Sequence, residues 1–198
     1  MSYTTSYLSE MQNIIGLLNV SEIERIINLL VQIRAEQGRL FFIGVGGGAG
    51  NASHAVNDFR KIAGFEAYTP SDNASELTAR INDDGWETVF VNWLKGSRIK
   101  AGDGVFIFSV GGGNLEKKIS ENLVYAVKYA HEAGAKILAV VGRDGGYTAR
   151  IADACVIVPT VNPQTVTPHT ESFQGVIWHL IVSHPKMKAL EMKWESIK

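Results

Sequence analysis

The chain has 198 residues, of which 45% are hydrophobic and 20% are charged. A chain of this length can bury a full core without disulfides or a structural metal, and it fits one domain better than two. The formal net charge of -1 provides no general attraction to nucleic acid or to an anionic membrane, so neither is expected as a partner. The sequence has neither a secretory signal nor an apolar run of the roughly 18 residues that span a membrane, and we expect a cytoplasmic location.

Two helices are predicted to precede the first strand. Apolar residues recur at helical spacing over residues 3–18, and a second helix is predicted to start at Ser21, with Glu24 placed as in a capping box. The second helix is apolar over a wider arc than one face of a sheet requires, which favours a contact between subunits. The residues of this arc are Ile23, Ile26, Ile27, Leu29, Leu30 and Ile33.

From Leu40 onward, short apolar runs alternate with segments of helical length. Strands are predicted over residues 40–45, 67–69, 104–110, 136–141 and 155–158. Helices are predicted over residues 51–63, 74–81, 87–94, 115–133, 147–152 and 171–183. Continuously apolar strands that alternate with helices are typical of a parallel sheet covered on both faces. Ligands of such sheets bind outside the carboxyl ends of the strands. Cys155, the only cysteine, lies in an apolar run, which excludes an internal disulfide and predicts a small buried side chain.

Glycine-rich turns follow three of the predicted strands, at residues 44–51, 109–114 and 142–146. Glycine lets the backbone approach a ligand closely, and the first N–H groups of the next helix attract an anion. One such turn also arises where a helix and a strand pack tightly, but two triple-glycine turns favour a ligand site over packing alone. The candidate binding residues are Gly46, Gly47, Gly48, Asn51, Ser109, Val110, Gly111, Gly112 and Asn114.

Two pairs of ionisable residues lie on predicted helices. His54 and Asp58 are four residues apart, so their side chains project from one helix face. Glu171 and His179 are eight residues apart, which leaves about 80° between them around a helix. Two histidines and two acids suit a divalent metal or an acid–base pair. Hydrogen-bonded helix histidines and solvated acids are the alternative.

Other candidates have simpler interpretations. Asp83 lies in a segment, residues 82–85, that is typical of a turn and helix cap, although its place between two helices lets Asp83 reach the pocket. His169 precedes the last predicted helix and is a candidate for the pocket lining. Solvated helix faces are predicted for Arg60, Lys61, Lys117 and Lys118. Core or interface positions are predicted for Trp86, Trp93, Trp178 and Trp194.

Taken in order, these motifs resemble the sugar isomerase (SIS) domain family, and specifically its phosphoheptose isomerase branch. They are residues 42–47, His54 with Asp58, residues 82–86, 108–114 and 142–146, and Glu171 with His179. The resemblance extends over nearly the whole chain. It implies an α/β fold, a three-layer α/β/α SIS domain with a doubly wound five-stranded parallel sheet and two N-terminal helices. It also implies one domain over residues 1–198, with the leading helices in 1–36 and the core in 39–183, and a homotetramer with sites at subunit contacts.

The activity implied by the resemblance is that of an aldose–ketose isomerase. Such an enzyme converts sedoheptulose 7-phosphate to a heptose 7-phosphate through an enediol, often with bound zinc and with no organic cofactor. By position, the metal ligands would be His54, Asp58, Glu171 and His179, with Asp58 also the base and His179 the acid. Asp83 and Glu171 would contact the substrate together with the first two glycine-rich turns.

The sequence departs from the family pattern at several of these positions. The family usually has glutamate at Asp58 and glutamine at Glu171. It holds phosphate with Ser/Thr hydroxyls where this chain has Gly48, Val110, Gly111 and Asn114; Ser109 keeps its hydroxyl. Backbone N–H groups can still bind phosphate. The alternatives are a related phosphosugar or activated sugar as substrate, or a non-catalytic SIS module that binds a sugar phosphate or a protein.

Overall fold

Five parallel strands form one sheet in the order β2-β1-β3-β4-β5. The structure is a computed structural model that describes residues 1–190. The strands are β1 (Leu40–Gly44), β2 (Ala67–Tyr68), β3 (Gly104–Ser109), β4 (Lys136–Val141) and β5 (Ala154–Ile157). Residues of β1 and β3 are buried almost throughout, because both faces of the sheet are covered by helices. The predicted α/β fold with a five-stranded parallel sheet is confirmed.

Eight helices surround the sheet in the described part of the chain. They are α1 (Tyr3–Leu17), α2 (Val20–Ala35), α3 (Gly47–Lys61), α4 (Ala74–Asp84), α5 (Val89–Gly96), α6 (Glu121–Glu132), α7 (Gly146–Ile151) and α8 (Val166–Ser183), with a short 3-10 helix at Pro70–Asp72. Alternate strand residues point to opposite faces. Phe42 and Phe106 therefore pack in one apolar cluster with α2, α3 and α8, whereas Phe41 and Ile107 pack in a second cluster with α5 and α6.

Several helices begin at residues other than the predicted ones, and α2, α3 and α8 show why. Helix α3 begins at Gly47 instead of Asn51, so the first glycine-rich turn is itself the first turn of the helix. Helix α8 begins at Val166 instead of Glu171, because Pro168 is tolerated in a first turn, where its missing N–H is not needed. The N-cap of α2 is Asn19, whose side chain accepts hydrogen bonds from the N–H groups of Ser21 and Glu22, so the predicted capping box at Ser21 is wrong.

The segment before α6 differs most from the prediction. Residues 115–120 are not helical: Asn114 and Ile119 exchange backbone hydrogen bonds of 2.8 and 2.9 Å, and α6 begins only at Glu121. We call residues 114–119 the hairpin. Lys117 and Lys118, which were predicted on a helix face, lie on this hairpin instead.

The apolar arc of α2 packs against other elements of the same chain. Five of its six residues are buried in the cluster that also contains α3 and α8: Ile23, Ile26, Ile27, Leu30 and Ile33. Outside this arc, exposed apolar side chains include Leu8 and Ile15 on α1, Val20 on α2, and Val176 and Leu180 on α8. The arc of α2 is therefore not evidence for a subunit contact.

Three further sequence predictions concern the burial of Cys155, membrane-spanning segments and the extent of the domain. Cys155 is half-buried, and burial, with a smaller effect of Glu22, raises the pKa of its thiol to about 12. None of the described helices is both long enough and apolar enough to cross a membrane. Trp194 and the end of the predicted single domain lie outside the described residues, and the domain extent stays a prediction.

Candidate functional site

The connections diverge between β1 and β3, which are neighbours in the sheet. The chain leaves β1 through α3 on one face and leaves β3 through α6 on the other. This is the point of a doubly wound sheet at which ligands bind. A methyl group added at Gly48 would collide with the carbonyl oxygen of Phe108, so glycine allows the first turn of α3 to approach the end of β3.

The second and third glycine-rich turns are fastened to each other. The N–H of Tyr147 donates to the carbonyl of Gly113 at 2.8 Å. The carbonyl of Gly112 accepts from both the N–H and the hydroxyl of Thr148, at 3.0 and 2.8 Å. A Cβ at Gly112 would overlap the carbonyl of Gly145. Tight packing of the turns therefore accounts for several glycines that the sequence pattern associates with a ligand.

A cleft of about 690 Å³ opens beside these turns, within the usual size range of small-molecule sites. Four predicted binding residues line it: Ser109, Val110, Gly111 and Asn114. The lining also includes Lys117, Ser120, Arg143 and Asp144. The predicted binding residues Gly46, Gly47, Gly48, Asn51, Asp83, Gly112 and Glu171 are not among the residues that line this cleft.

Three of the four predicted metal ligands come together where α3 packs on α8. Nε2 of His54 lies 4.0 Å from Oδ2 of Asp58, and Nε2 of His179 lies 3.8 Å from the same oxygen. The potential ligand atoms of these three residues all lie within 4.8 Å of one another. We call His54, Asp58 and His179 the triad. Asp58 is buried, with its side chain 4% exposed, whereas the His54 and His179 side chains are 59% and 42% exposed.

Neighbouring groups fix the orientation of the triad. The Nδ1 atom of His179 lies 2.8 Å from the carbonyl oxygen of Gly175. Because a carbonyl can only accept, Nδ1 carries a proton and donates it to Gly175, and Nε2 is the ring nitrogen that faces Asp58. The side chain of Asn57 donates to Oδ1 of Asp58 at 2.8 Å. The ring of Trp178 lies 4.7 Å from that of His54 and backs the site with an apolar wall.

The donor set of the triad fits a divalent metal ion. Within residues 1–190, nothing donates a hydrogen bond to the buried Oδ2 of Asp58. A buried carboxylate oxygen without a donor is costly, and a cation removes that cost. Ligand atoms of a tetrahedral zinc ion are separated by about 3.4 Å, close to the observed separations. Two imidazoles and one carboxylate are also the protein ligands of many catalytic zinc sites, which keep one position open.

Glu171 lies apart from the triad. Its carboxylate lies over Gly47, where an added methyl group would meet it, at the positive end of α3. The backbone carbonyl of Glu171 accepts from the Asn51 side chain at 2.9 Å, and Asn51 also donates to Gln174. Eight residues correspond to about 12 Å along a helix axis, which separates Glu171 from His179. Within one chain, Glu171 is therefore not a fourth member of the triad.

Asp83 and His169, which the sequence suggested for the pocket, have other surroundings in the structure. Asp83 is exposed near the end of α4, where its carboxylate accepts from the side chain of Asn82. His169 is buried, and its Nε2 lies 2.7 Å from a carboxylate oxygen of Glu10 on α1. Hydrogen bonds from Asn162, His169 and Thr165 lower the pKa of Glu10 to about 2. This cluster fastens α1 to the first turn of α8.

Sequence reasoning missed Lys117 and Arg143 as candidate binding residues. Lys117 was predicted on a solvated helix face, and Arg143 was considered only as part of the third glycine-rich turn. Both line the cleft. The signal for Lys117 is the side chain of Asn114, which accepts from the N–H of Lys117 three residues later, as in a turn.

Comparisons with known proteins agree with this fold. The model of the SIS domain family matches residues 3–142. A phosphoheptose isomerase of Sulfurimonas denitrificans is 31% identical over 167 residues, which span 82% of this chain and 80% of that protein. The structure of phosphoheptose isomerase GmhA from Neisseria gonorrhoeae superposes with a TM-score of 0.76 at 26% identity, covering 90% of this chain and 94% of that one.

A lincomycin biosynthesis protein of Streptomyces lincolnensis, LmbN, is 32% identical over 158 residues, 74% of this chain. The match spans only 56% of LmbN, so this chain corresponds to about half of that protein. The family match covers most of this chain, and the relative from Sulfurimonas is matched over most of both sequences. The chain belongs to the SIS domain family and, within it, to the phosphoheptose isomerase branch.

Proposed function

We propose that this protein is an aldose–ketose isomerase that converts sedoheptulose 7-phosphate to a heptose 7-phosphate. The observation that carries the proposal is the triad, in which a buried carboxylate oxygen faces two imidazole nitrogens. It occurs in a chain that is 31% identical to a phosphoheptose isomerase over most of both sequences. Carboxylate and imidazole groups are those that move protons between carbon and oxygen atoms at neutral pH.

Asp58 is the base of the proposed reaction. Its Oδ2 accepts the proton from the carbon next to the substrate carbonyl, which leaves an enediol, and returns a proton to the neighbouring carbon. The hydrogen bond from Asn57 to Oδ1 holds the carboxylate in one orientation. Because its Nδ1 proton is engaged by Gly175, His179 has only Nε2 for chemistry: in the zinc-free site Nε2 transfers protons to and from the two substrate oxygens, and in the zinc-bound site it would be a ligand instead. The net change is a shift of two hydrogen atoms within the sugar, so no external oxidant or reductant is consumed.

We propose His54, Asp58 and His179 as the residues that hold a zinc ion. When bound, zinc would polarise the carbonyl and hydroxyl oxygens of the substrate and so stabilise the enediol. The orphaned oxygen of Asp58 supports this assignment. The bond from His179 to the carbonyl of Gly175 supports it too, because metal-binding histidines usually donate their other N–H to such an acceptor. No organic cofactor is needed for this chemistry.

A homotetramer with its sites at subunit contacts is also part of the proposal. Val176 and Leu180, three residues before and one residue after His179 on α8, are exposed, so apolar side chains lie at the surface near the triad. Exposed Leu8 and Ile15 on α1 add to the apolar surface outside the core. Light scattering after gel filtration measures the mass: a tetramer agrees with the proposal and a monomer contradicts it. A cytoplasmic location stays a prediction from the sequence.

The activity test uses chelator-treated protein with sedoheptulose 7-phosphate and a panel of ketose phosphates, each with and without Zn²⁺. We expect zinc-dependent formation of the aldose. Asp58→Asn and His179→Ala are each expected to reduce kcat by about 10²- to 10⁴-fold, as loss of a general acid or base does. Turnover that both variants retain would refute the assignment of these residues. Absence of turnover together with tight binding of a protein partner would favour a non-catalytic SIS module.

A related phosphosugar is the second candidate substrate. The observation in its favour is the loss of hydroxyl side chains at Gly48, Val110 and Gly111, beside the switch point of the sheet. The same panel decides between the two substrates. A higher kcat/KM for another ketose phosphate than for sedoheptulose 7-phosphate would establish that phosphosugar as the substrate.

A further inference from the structure

The hairpin carries a lysine to the rim of the cleft. The paired backbones of Asn114 and Ile119 close the hairpin, and the side chain of Asn114 accepts from the N–H of Lys117 at 2.9 Å. Lys118 and Ser120 both have a φ of 50°, in the left-handed region that residues with a side chain rarely adopt. The chain holds this conformation at a conformational cost, and it places Lys117 in the cleft lining.

A second cation reaches the same cleft from β4. Arg143 follows the end of β4 with a φ of 54°, again in the left-handed region. Its δ carbon lies 3.8 Å from the position that a Cβ of Gly111 would occupy. The side chain of Arg143 therefore crosses the second glycine-rich turn on its way into the cleft. Lys117 and Arg143 thus approach one cavity from two separate chain segments.

At two helix N-termini near the cleft, those of α3 and α7, neighbouring groups already occupy or oppose the anion-binding capacity. The carboxylate of Glu171 lies over Gly47 at the positive end of α3, where it would repel an anionic ligand. The N–H of Gly48 is bonded to the carbonyl of Val45. At α7, the N–H groups of Tyr147 and Thr148 donate to the second glycine-rich turn. Lys117 and Arg143 are therefore better placed to bind an anion than these backbone donors are.

We propose that the phosphate group of the substrate binds in the cleft between Lys117 and Arg143. The two cations then serve in place of the Ser/Thr hydroxyls that this chain lacks, assisted by the hydroxyls of Ser109 and Ser120. Asp144 also lines the cleft, but its carboxylate accepts from the N–H of Gly146, which directs it toward the start of α7. The identity of the sugar rests on the proposed function, whereas the anion site rests on the cleft itself.

Calorimetric binding measurements test this assignment without requiring turnover. The ligands are sedoheptulose 7-phosphate, sedoheptulose without phosphate, and inorganic phosphate. We expect Lys117→Ala and Arg143→Ala each to weaken binding of both phosphate-containing ligands by about 10-fold or more, as the loss of a charge-assisted contact does. Lys117→Arg retains the charge and is expected to stay close to wild type.

The matched control is Lys118→Ala, which removes the same charge from the next residue of the hairpin. Lys118 is exposed and is not part of the cleft lining, so its loss is expected to change binding by no more than about twofold at physiological salt. The thermal unfolding of each variant shows whether it folds. For any variant that fails to fold, Lys117→Gln or Arg143→Gln replaces it, since each keeps most of the side-chain length.

The outcomes separate this inference from the proposed function. If wild type turns over the phosphosugar but the Lys117 and Arg143 variants bind it as Lys118→Ala does, the phosphate lies elsewhere and only the inference fails. If wild type turns over no sugar phosphate, yet binds inorganic phosphate in a manner that depends on both cations, the inference stands and the proposed function fails. Failure of wild type to bind either phosphate-containing ligand would overturn the inference.

Discussion

The metal-free protein is expected to become more stable when Asp58 is replaced by asparagine. Oδ1 of Asp58 is bonded to Asn57, but Oδ2 is buried, is not bonded to any described donor, and faces two imidazole nitrogens. In Asp58→Asn the amide oxygen can keep the bond to Asn57, while its NH₂ group faces the imidazoles and can donate to them. The substitution therefore removes a buried carboxylate oxygen to which no described group donates, and it adds a donor where one is absent.

The size of the effect follows from this geometry. An unsatisfied buried polar group costs about 1–3 kcal/mol. If asparagine relieves about 1 kcal/mol of that cost, the Tm of the chelator-treated variant rises by about 2–4 °C in a domain of this length. Zinc at 100 times its Kd stabilises a folded protein by about 2.7 kcal/mol. Wild type should therefore gain about 5–11 °C on addition of zinc, and Asp58→Asn should lose most of that gain.

Thermal unfolding followed by circular dichroism, with and without Zn²⁺, measures both effects. Asp84→Asn is the matched control, because Asp84 is exposed at the end of α4 and the same charge is removed there. It should respond to zinc as wild type does. The reasoning would be refuted if metal-free Asp58→Asn unfolded at a lower temperature than wild type and zinc stabilised the two proteins equally.

Three further predictions concern groups outside the triad. Asp103 is fully buried and accepts from the backbone and guanidinium of Arg39; burial alone would raise its pKa, but these hydrogen bonds hold it below the usual value. Asp103→Ala should lower the free energy of unfolding, measured by chemical denaturation, by about 3–5 kcal/mol, because it leaves Arg39 without its buried partner. A decrease below about 1 kcal/mol would contradict this expectation. The pKa of Glu10 is lowered from 4.5 to about 2. The stabilisation of the fold by the ionised Glu10 carboxylate is therefore complete above pH 4.5 and is lost as the pH falls toward 2. The Tm difference between wild type and Glu10→Gln should therefore shrink over that interval, and a constant difference would argue against the cluster with His169. Cys155, with its pKa raised to about 12, should react with iodoacetamide at pH 8 far more slowly than it does in urea, and equal rates would contradict its protection.

The sheet could be predicted from the sequence because its strands are buried on both faces and appear as continuous apolar runs. Helix starts were less predictable, since they depend on which side chains cap them. Residues 115–120 illustrate the difficulty: Leu115 and Ile119 are four residues apart, as on a helix, but the backbone of Ile119 pairs with Asn114 instead. The wide apolar arc of α2 was interpreted as a subunit contact, although a helix that packs against both the sheet and α8 needs the same pattern.

The triad was partly predictable, because two of its members lie close together on one helix. Spacing of four residues places His54 and Asp58 on one helix face, whatever the rest of the fold does. The position of Glu171 depends on axial distance along α8 and on the opening that Gly47 provides, and angular spacing does not contain that information. Lys117 could not be assigned to the cleft until the hairpin was known, because its position depends on a turn that resembles a helix in sequence.

The central claim is that Asp58 transfers a proton between adjacent carbons of a ketose phosphate. Solvent-isotope incorporation tests it most directly: wild type with zinc is incubated with sedoheptulose 7-phosphate in D₂O, and the sugar is analysed by proton NMR and mass spectrometry. We predict deuterium at the carbon next to the carbonyl, together with the aldose product, and about 10²- to 10⁴-fold slower incorporation by Asp58→Asn. Unlabelled sugar after prolonged incubation with wild type, or equal labelling by wild type and Asp58→Asn, would contradict it.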